Sequence, residues 1–567
     1  MNILPRAAAL AALSLLPLAA LLPAQDAAPV PTPAAAPTPH AEHVVVMVWD
    51  GLRPDSVTEE ITPTLFKLAH DGVFFAHHHC VFPSSTEVNG TAMATGSYPG
   101  TSSILGNREY RPYIDPYRSV ATEELESIRV GDKDNGTHGY VRCPTVAEIL
   151  HGFHERTAVA GTKQVAVLQD RGQRPDAGSL AAENVDFFNG KTLPEEAIKE
   201  LERVLGSSFP PDIRLPNVDE DGWTTRALTQ ALWKDELPKF SLLWMSDPDF
   251  TQHRYGPDSP QAHKALADDD ANLATVLATL EQRGWRDSTD VFVVSDHGFS
   301  TIGRQIDVAK DLAAGGFDAV REFRAEPRKD QVLAVGLGGT VYLYVVGHDP
   351  ATVGRLVEHL QRTEYAGVIF THDSPKYDGE THLHGTLLPG TFPMSAIHID
   401  SGQEPDVAVV LRWQDEKNAN GFPGMMYSDG ERRAGQGSHA SLSRYEMHNT
   451  LVANGPSFQR GFRDELPSGN TDLAPTILHI LHPDYSPRMN GRILREAFAH
   501  PDAAPSPAAP RIERLETGRA IDATAWKQYL QITHYAGVDY LDEGNTGTPL
   551  PASAPAIPPA PDTSPTR

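Results

Sequence analysis

The side chains of this chain that could do chemistry together are carboxylates and imidazoles placed at the ends of apolar runs. Asp50 closes HVVVMVWD, Asp247 and Asp249 follow FSLLWM, and Asp296 and His297 follow DVFVVS. In open α/β sheets ligands bind beyond the carboxyl ends of the strands, so three strand ends carrying carboxylates predict one shared crevice. Asp249 and His253 stand four apart, which on a helical turn puts both on one face. His439 lies in the Gly/Ser-rich stretch GQGSHAS. Asp50, Asp249 and Asp296 with His253, His297 and His439 offer the oxygen and nitrogen donors that suit a pair of zinc ions, each taking about four donors at ~2.0–2.2 Å. Other divalent metals are accepted by the same donor types. Each residue alone is commonplace, and only their joint placement carries the reading. His77, His78 and His79 also form a tract, but along a strand they alternate faces and read as supporting or adventitious residues.

The stretch VFPSSTEVNGTAMATG sets Ser84, Ser85 and Thr86 between a strand-like segment and a helix-like one. A hydroxyl at a helix N-terminus can simply cap the helix. The same place favours phosphate oxygens, through unpaired N–H groups and the helix dipole, and a nearby metal ion lowers a hydroxyl's pKa enough to make it a nucleophile. The local sequence leaves all three hydroxyls open.

The elements that must position these groups alternate. Continuous β-branched runs at 43–50, 240–247 and 290–298 suit strands buried on both faces of a parallel sheet. ITPTLFKLAHDG, with Pro63 near its start and Gly72 at its end, and HKALADDDANLATVLATLEQRG, closed by Gly284, read as helices. The pattern is α/β, a mostly parallel sheet flanked by helices. Residues 301–400 carry TVYLYVVGHD, PATVGRLVEHLQ and GVIFTHD and read as a smaller α/β cap inserted into the core, with DVAVVLRW and NTLVANG as returning strands. TDLAPTILHIL reads as a helix capped by Thr471 or Asp472, with Pro475 in its first turn.

The ends differ in kind. Residues 1–24, MNILPR followed by an apolar, small-residue stretch, have the pattern of a secretory signal peptide, with an uncleaved anchor as the competing reading. Residues 25–41 and 549–567 are Pro/Ala-rich linker and tail. The catalytic domain is expected at 42–500, with a C-terminal extension at 501–548 and no membrane span once the signal is removed. The formal charge of −26, from 48 basic and 74 acidic side chains, disfavours binding to nucleic-acid polymers or anionic membranes and points to small substrates. Cys80 and Cys143 are the only cysteines. They can pair or stay as separate thiols, but two cannot build a tetrahedral thiolate zinc site.

Six motifs in order, VVVMVWDGLRPD, FPSST with TGSYPG, GNREY, PDFTQHRYGP, SDHGFS and GSHAS, give the chain its resemblance to the alkaline phosphatase superfamily, and within it to the type I phosphodiesterase/nucleotide pyrophosphatase family. The resemblance runs from about His43 to Leu481. It implies an alkaline-phosphatase-like core and hydrolysis of phosphate esters, with Thr86 as the nucleophile that forms a covalent phosphoryl intermediate. It further implies that Asp50, Thr86, Asp296 and His297 hold one Zn²⁺, that Asp249, His253 and His439 hold the other, and that Asn107 donates to a phosphate oxygen. Departures bear on the substrate, a small phosphate ester. Glu87, Val88, Asn89 and Gly90 follow the threonine where family phosphodiesterases often differ. Related phosphomonoesterases carry a Lys-x-Arg pair; here Lys163 is present but Val165 stands in the arginine's place, leaving Arg171 or Arg174 as substitutes. Lys163 reads equally as a phosphate-binding cation or a solvated surface residue. The rival expectations are a phosphomonoesterase or phosphonate hydrolase on the same frame and, from a different class, an inactive metal-binding sensor or scaffold. A sulfatase is disfavoured, because Cys80 lacks the C/S-x-P-x-R context.

Overall fold

The run HVVVMVW has side chains that must be buried on both faces, and the fold does that. In the computed structural model, strand His43–Trp49 is the centre of a nine-stranded sheet. Val44, Val46 and Val48 enter one hydrophobic cluster, and Val45, Met47 and Trp49 enter the cluster on the opposite face. Its two neighbours, Phe240–Met245 and Thr289–Val294, both run parallel to it, with Trp49 opposite Met245 and Val48 opposite Val294. This register brings the carboxyl ends of all three strands to one edge. The remaining strands are Thr157–Gly161, Val185–Phe188 and Lys191–Leu193 on one side, and Leu451–Asn454, Val73–His79 and Phe462–Gly469 on the other.

The structure describes residues 41–134, 139–171, 184–372, 387–500, 508–521 and 524–547. The expected signal segment, all but Ala41 of the linker, the Pro-rich tail and Arg174 lie outside them. The described residues all belong to one compact unit. Among the described residues no helix is long and apolar enough to cross a membrane, and Cys80 and Cys143 are not joined in a disulfide.

Helix boundaries follow local chemistry. Helix Pro63–Asp71 has Pro at its first position and stops at Gly72. Helix Pro260–Gln282 starts before His263, because Ser259 caps it by accepting from Ala262 N–H and Pro260 fits the first turn. Helix Leu473–Leu481 begins after Asp472.

The smaller α/β layer is a six-stranded sheet ordered Ala319–Val320, Val332–Gly336, Thr340–Val345, Val407–Leu411, Ala366–Thr371, Phe392–Pro393. Helix Pro350–Leu360 packs Val353, Leu356, Val357 and Leu360 against it. Val407–Leu411 therefore belongs to this layer, pairing with Thr340–Val345 and Ala366–Thr371, whereas Leu451–Asn454 joins the core sheet. An apolar β run has no label for which of two sheets it completes. A three-stranded antiparallel sheet, Arg511–Ile521, Thr524–Tyr535 and Val538–Thr546, closes the chain. Its Leu530, Ile532 and Leu541 share a cluster with Phe370, Leu442 and Met447.

Helix Thr86–Thr95 is buried along its whole length. Gly90 lets it lie against Trp244: a Cβ there would meet the indole at 2.9 Å and Val165 at 3.0 Å. Gly90→Ala gains about 0.5–1 kcal/mol of helix propensity but incurs an overpacking cost of about 1–3 kcal/mol, and Trp244 cannot yield because its Nε1 donates to Asp50 Oδ2 at 2.8 Å. Urea denaturation of Gly90→Ala is expected to show a net loss of stability; a variant as stable as the parent contradicts the packing argument.

Candidate metal centre

Each of the three aspartates has one anchored carboxylate oxygen and one presented oxygen. Asp50 Oδ2 accepts from Trp244 Nε1 and lies 2.9 Å from Lys163 Nζ, while Oδ1 is buried without a hydrogen-bond partner. Asp296 Oδ1 accepts from the backbone N–H of Gly51 and of His297, each at 3.0 Å, and its Oδ2 has no partner. Asp249 Oδ2 accepts from Lys163 at 2.9 Å and its Oδ1 has no partner. Gly51, at φ +75°, makes the turn that brings its N–H under Asp296, and a Cβ there would meet Phe299 at 2.8 Å.

The histidines match this arrangement. His253 Nδ1 bonds to Gly437 O, His297 Nδ1 to Gly298 O and His439 Nδ1 to Ser84 O. A carbonyl only accepts, so each Nδ1 carries the proton and each Nε2 presents its second site inward. His253 Nε2 lies 3.2 Å from Asp249 Oδ1 and His439 Nε2 lies 3.6 Å from the same atom. His297 Nε2 is 3.2 Å from Asp296 Oδ2 and 3.8 Å from Asp50 Oδ1. Unpartnered carboxylate oxygens facing imidazole Nε2 atoms are the donor set a divalent cation needs, with backbone carbonyls fixing the imidazole tautomers. The donors fall into two groups, Asp50–Asp296–His297 and Asp249–His253–His439, with the donor atoms of each group within 4.8 Å of one another. The groups adjoin, since the rings of His297 and His439 stack at 3.9 Å.

Of the three hydroxyls, only Thr86 meets this set, with Oγ1 3.3 Å from His297 Nε2. Ser84 Oγ donates to Ser441 O and Glu446 Oε2. Ser85 holds the N-cap position but makes no capping bond. Ser84 O also accepts from Ala440 N–H, so one carbonyl fixes the Thr86 turn to the His439 loop. Ala440 is held at φ +73°, a conformation that costs a non-glycine residue about 1–2 kcal/mol. Asn107 Oδ1 accepts from Glu87 N–H at 3.3 Å, which leaves its NH₂ as the donor end at the helix start.

Lys163 is not a solvated surface residue. Its side chain is 12% exposed and its ammonium joins Asp50 of one group to Asp249 of the other. Burial alone would lower its pKa, but the charges of Asp249 and Asp50 outweigh that and raise it. The two aspartates differ although Lys163 is equally close to both. Burial, reinforced by the neighbouring Asp296 charge, pushes Asp50 well above the carboxylate range. Burial opposes Asp249 too, but His253 and Lys163 hold it well below. Burial lowers the pKa of His253 and of His439, which favours the neutral form that can act as a ligand.

Val165 is buried, and Arg171 is committed to Glu148 at 2.8 Å and Asp132 at 3.5 Å, so Arg171 does not supply the second cation. Of the residues after Thr86, Asn89 turns into Val81, Pro83 and Ser85, and Gly90 faces Trp244. Glu87 is buried, and desolvation together with the Glu123 carboxylate raises its pKa, opposed by Lys163. Asp247 bonds to the N–H groups of Asn217 and Thr251 and takes no part in either group.

Sequence reasoning missed Trp244, Asn470 and Arg432. Asn470 Nδ2 donates to Asp296 O and Asn89 Oδ1, and its Oδ1 receives His78 Nε2, so His78 does support the centre from behind. Arg432 is exposed, and its charge acts on His253 and His439. None of the three carries a local signal: Asn470 merely precedes the expected cap residues Thr471 and Asp472, Trp244 lies inside an apolar strand run and Arg432 in the polar stretch DGERR.

Strands that end in metal-type donors, beside a threonine opening a helix, define an alkaline-phosphatase-like architecture. A sequence profile described as Type I phosphodiesterase / nucleotide pyrophosphatase matches residues 44–389. The chain belongs to that family, part of the alkaline phosphatase superfamily. Human ectonucleotide pyrophosphatase/phosphodiesterase family member 1 is 24% identical over 238 residues, covering 42% of this chain and 21% of that protein. A venom phosphodiesterase of Macrovipera lebetinus is 21% identical over 477 residues, covering 82% and 47%. The chain thus spans less than half the length of either relative. Among solved structures, murine ectonucleotide pyrophosphatase/phosphodiesterase 5 superposes with a TM-score of 0.56 at 15% identity, covering 81% of this chain and all of that one, a likeness of fold.

Removing the Lys163 charge would leave Asp50 and Asp249 uncompensated in the metal-free protein, a loss of about 3 kcal/mol or more for a buried pair broken on one side. Lys163→Met is therefore expected to melt well below the parent in EDTA and to gain more than the parent when Zn²⁺ is added. Equal melting of the two proteins without metal contradicts the assignment.

Proposed function

We propose that this protein is an exported, two-zinc hydrolase of phosphate esters, of the phosphodiester or nucleotide type, working through a covalent phosphothreonine at Thr86. The observation that carries the reading is the set of three presented carboxylate oxygens facing three Nε2 atoms beside the Thr86 hydroxyl. Asp50, Thr86, Asp296 and His297 would hold one zinc, and Asp249, His253 and His439 the other. When bound, the pair supplies Lewis-acid stabilisation of the attacking and leaving oxygens.

The chain's own groups account for the rest. Thr86 Oγ1 bonds to phosphorus as the bond to the leaving alcohol breaks, and water then hydrolyses the threonine ester, releasing the phosphate product and restoring the hydroxyl. Thr86 opens a ten-residue helix, whose N-terminus favours phosphate oxygens. The NH₂ of Asn107 donates to a phosphoryl oxygen, and Lys163 adds a positive charge where the two donor groups meet. Three carboxylates against two divalent cations and this lysine make the site locally positive in an acidic protein, which suits a small anionic ester and not a nucleic-acid polymer.

The diester preference is supported by what surrounds Lys163. Val165 and the committed Arg171 leave the lysine without the adjoining guanidinium that a dianionic monoester would use, and the Glu87 carboxyl lies beside Thr86. The nucleotide reading is supported by relatives: a Xenopus laevis relative is described as a bis(5'-adenosyl)-triphosphatase, and the murine structural relative is known in an inactive form with a threonine-to-alanine change, in complex with AMP. Export is supported by the N-terminal pattern and by relatives described as venom or ecto-enzymes.

A kinetic panel on zinc-loaded protein tests the reaction class, comparing bis-p-nitrophenyl phosphate, p-nitrophenyl phosphate, a nucleotide ester, phosphonoacetate and p-nitrophenyl sulfate. Diester kcat/KM is expected to exceed monoester kcat/KM by about tenfold or more, and Thr86→Ala to lose at least about 10³-fold with no phosphoenzyme. Monoester or phosphonoacetate turnover well above diester turnover overturns the substrate class; activity that survives Thr86→Ala but not Ser85→Ala overturns the nucleophile.

A further inference from the structure

A third cluster, apart from the two at Thr86, gathers two imidazoles and a carboxylate. His79 ends the core strand Val73–His79, His448 lies between helix Arg444–Met447 and strand Leu451–Asn454, and Asp542 comes from the last strand of the C-terminal sheet. A ligand atom from each lies within 4.8 Å of the others. His79 Nδ1 bonds to Ser468 O at 3.0 Å, so the proton is on Nδ1 and Nε2 is directed at Asp542 Oδ1, also at 3.0 Å. A neutral imidazole lone pair does not face a carboxylate oxygen without a cation between them; that cation is either a proton, giving an imidazolium, or a metal.

The second imidazole decides between the two. His448 pairs with His79 across an isolated backbone bridge, and the rings sit 4.4 Å apart. Next to an imidazolium it would be a poorly placed neighbour with no hydrogen-bond work to do. As a third donor it completes the imidazole–imidazole–carboxylate set that zinc-class ions prefer. The carboxylate is held for the task as well: Thr533 Oγ1 lies 3.1 and 2.9 Å from the two Asp542 oxygens, and Gln531 Nε2 donates to Oδ2 at 3.3 Å. The cluster opens onto a cavity of about 600 Å³ that is also lined by Arg53 and Arg444, which leaves room for water in a fourth coordination position.

We propose that His79, His448 and Asp542 form a third divalent-metal site, of zinc type, that ties the C-terminal sheet to the catalytic core. The tie joins segments far apart in sequence, so binding adds to the stability of the folded chain through linkage. The tract reading of His77, His78 and His79 is divided accordingly: His77 is exposed beside Glu465, His78 supports Asn470, and His79 is a ligand.

The test uses the full chain. His448→Gln, Asp542→Asn and the double variant are each expected to bind one zinc equivalent fewer than the parent. The double variant loses no second equivalent, because both residues serve one site, and all three keep diester turnover within about twofold. In the unaltered protein, zinc is expected to protect His448 from diethyl pyrocarbonate. Tryptic peptide 445–460 reports this separately from His439, since no other histidine lies in it. Unchanged zinc content in the variants, or His448 modified at the same rate with and without zinc, overturns the proposal.

Discussion

The structure depends on one electrostatic constraint: three parallel strands deliver three buried carboxylates to the same sheet edge. Burying even one unpaired carboxylate is costly, and three side by side repel one another as well. The surrounding residues answer that cost in two ways. One oxygen of each aspartate is tied down, by Trp244, by Lys163 or by backbone N–H groups, and the other is turned toward an imidazole. Lys163 shows the balance most directly. Placed equally close to Asp50 and Asp249, it offsets both, yet burial with the Asp296 charge keeps Asp50 raised, whereas at Asp249 His253 and Lys163 outweigh the burial.

Four of the histidines in the donor clusters follow one rule. Where Nδ1 is pinned to a main-chain carbonyl, Nε2 is committed to the interior and to whatever cation gathers there. His253, His297 and His439 obey it around Thr86, and His79 obeys it 360 residues earlier in the chain than the third. Only the His297–Gly298 bond is local; the carbonyls of Gly437, Ser84 and Ser468 reach their histidines through tertiary contacts, and no metal need be in place for the side chains to be oriented. Ser84 O couples the Thr86 turn to the His439 loop, so the hydroxyl and the His439 imidazole cannot move independently.

Much of this was legible in the sequence because it is encoded locally. A β-branched run ending in Asp reads as a buried strand with a carboxylate at its tip, and Asp249 and His253 share a helical turn as their spacing implies. Thr86 required more than local reading; helix geometry alone left Ser84 and Ser85 equally eligible, and tertiary contacts with Ser441, Glu446 and His297 separate them. Residues acting from behind were not legible. Trp244 reads as packing, Asn470 carries no signal of its own, and His79 reads as one of an alternating tract, because their partners arrive from segments far away in the chain. The assignment of Val407–Leu411 to the smaller sheet failed to show for the same reason, as strand order is a property of the assembled fold.

The central claim is that the two donor groups beside Thr86 each hold a metal ion. Anomalous diffraction from crystals of the zinc-loaded protein, recorded on either side of the zinc absorption edge, tests it most directly. The account predicts one zinc peak among Asp50, Thr86, Asp296 and His297 and another among Asp249, His253 and His439. Fully loaded crystals with no zinc peak at either group would contradict it.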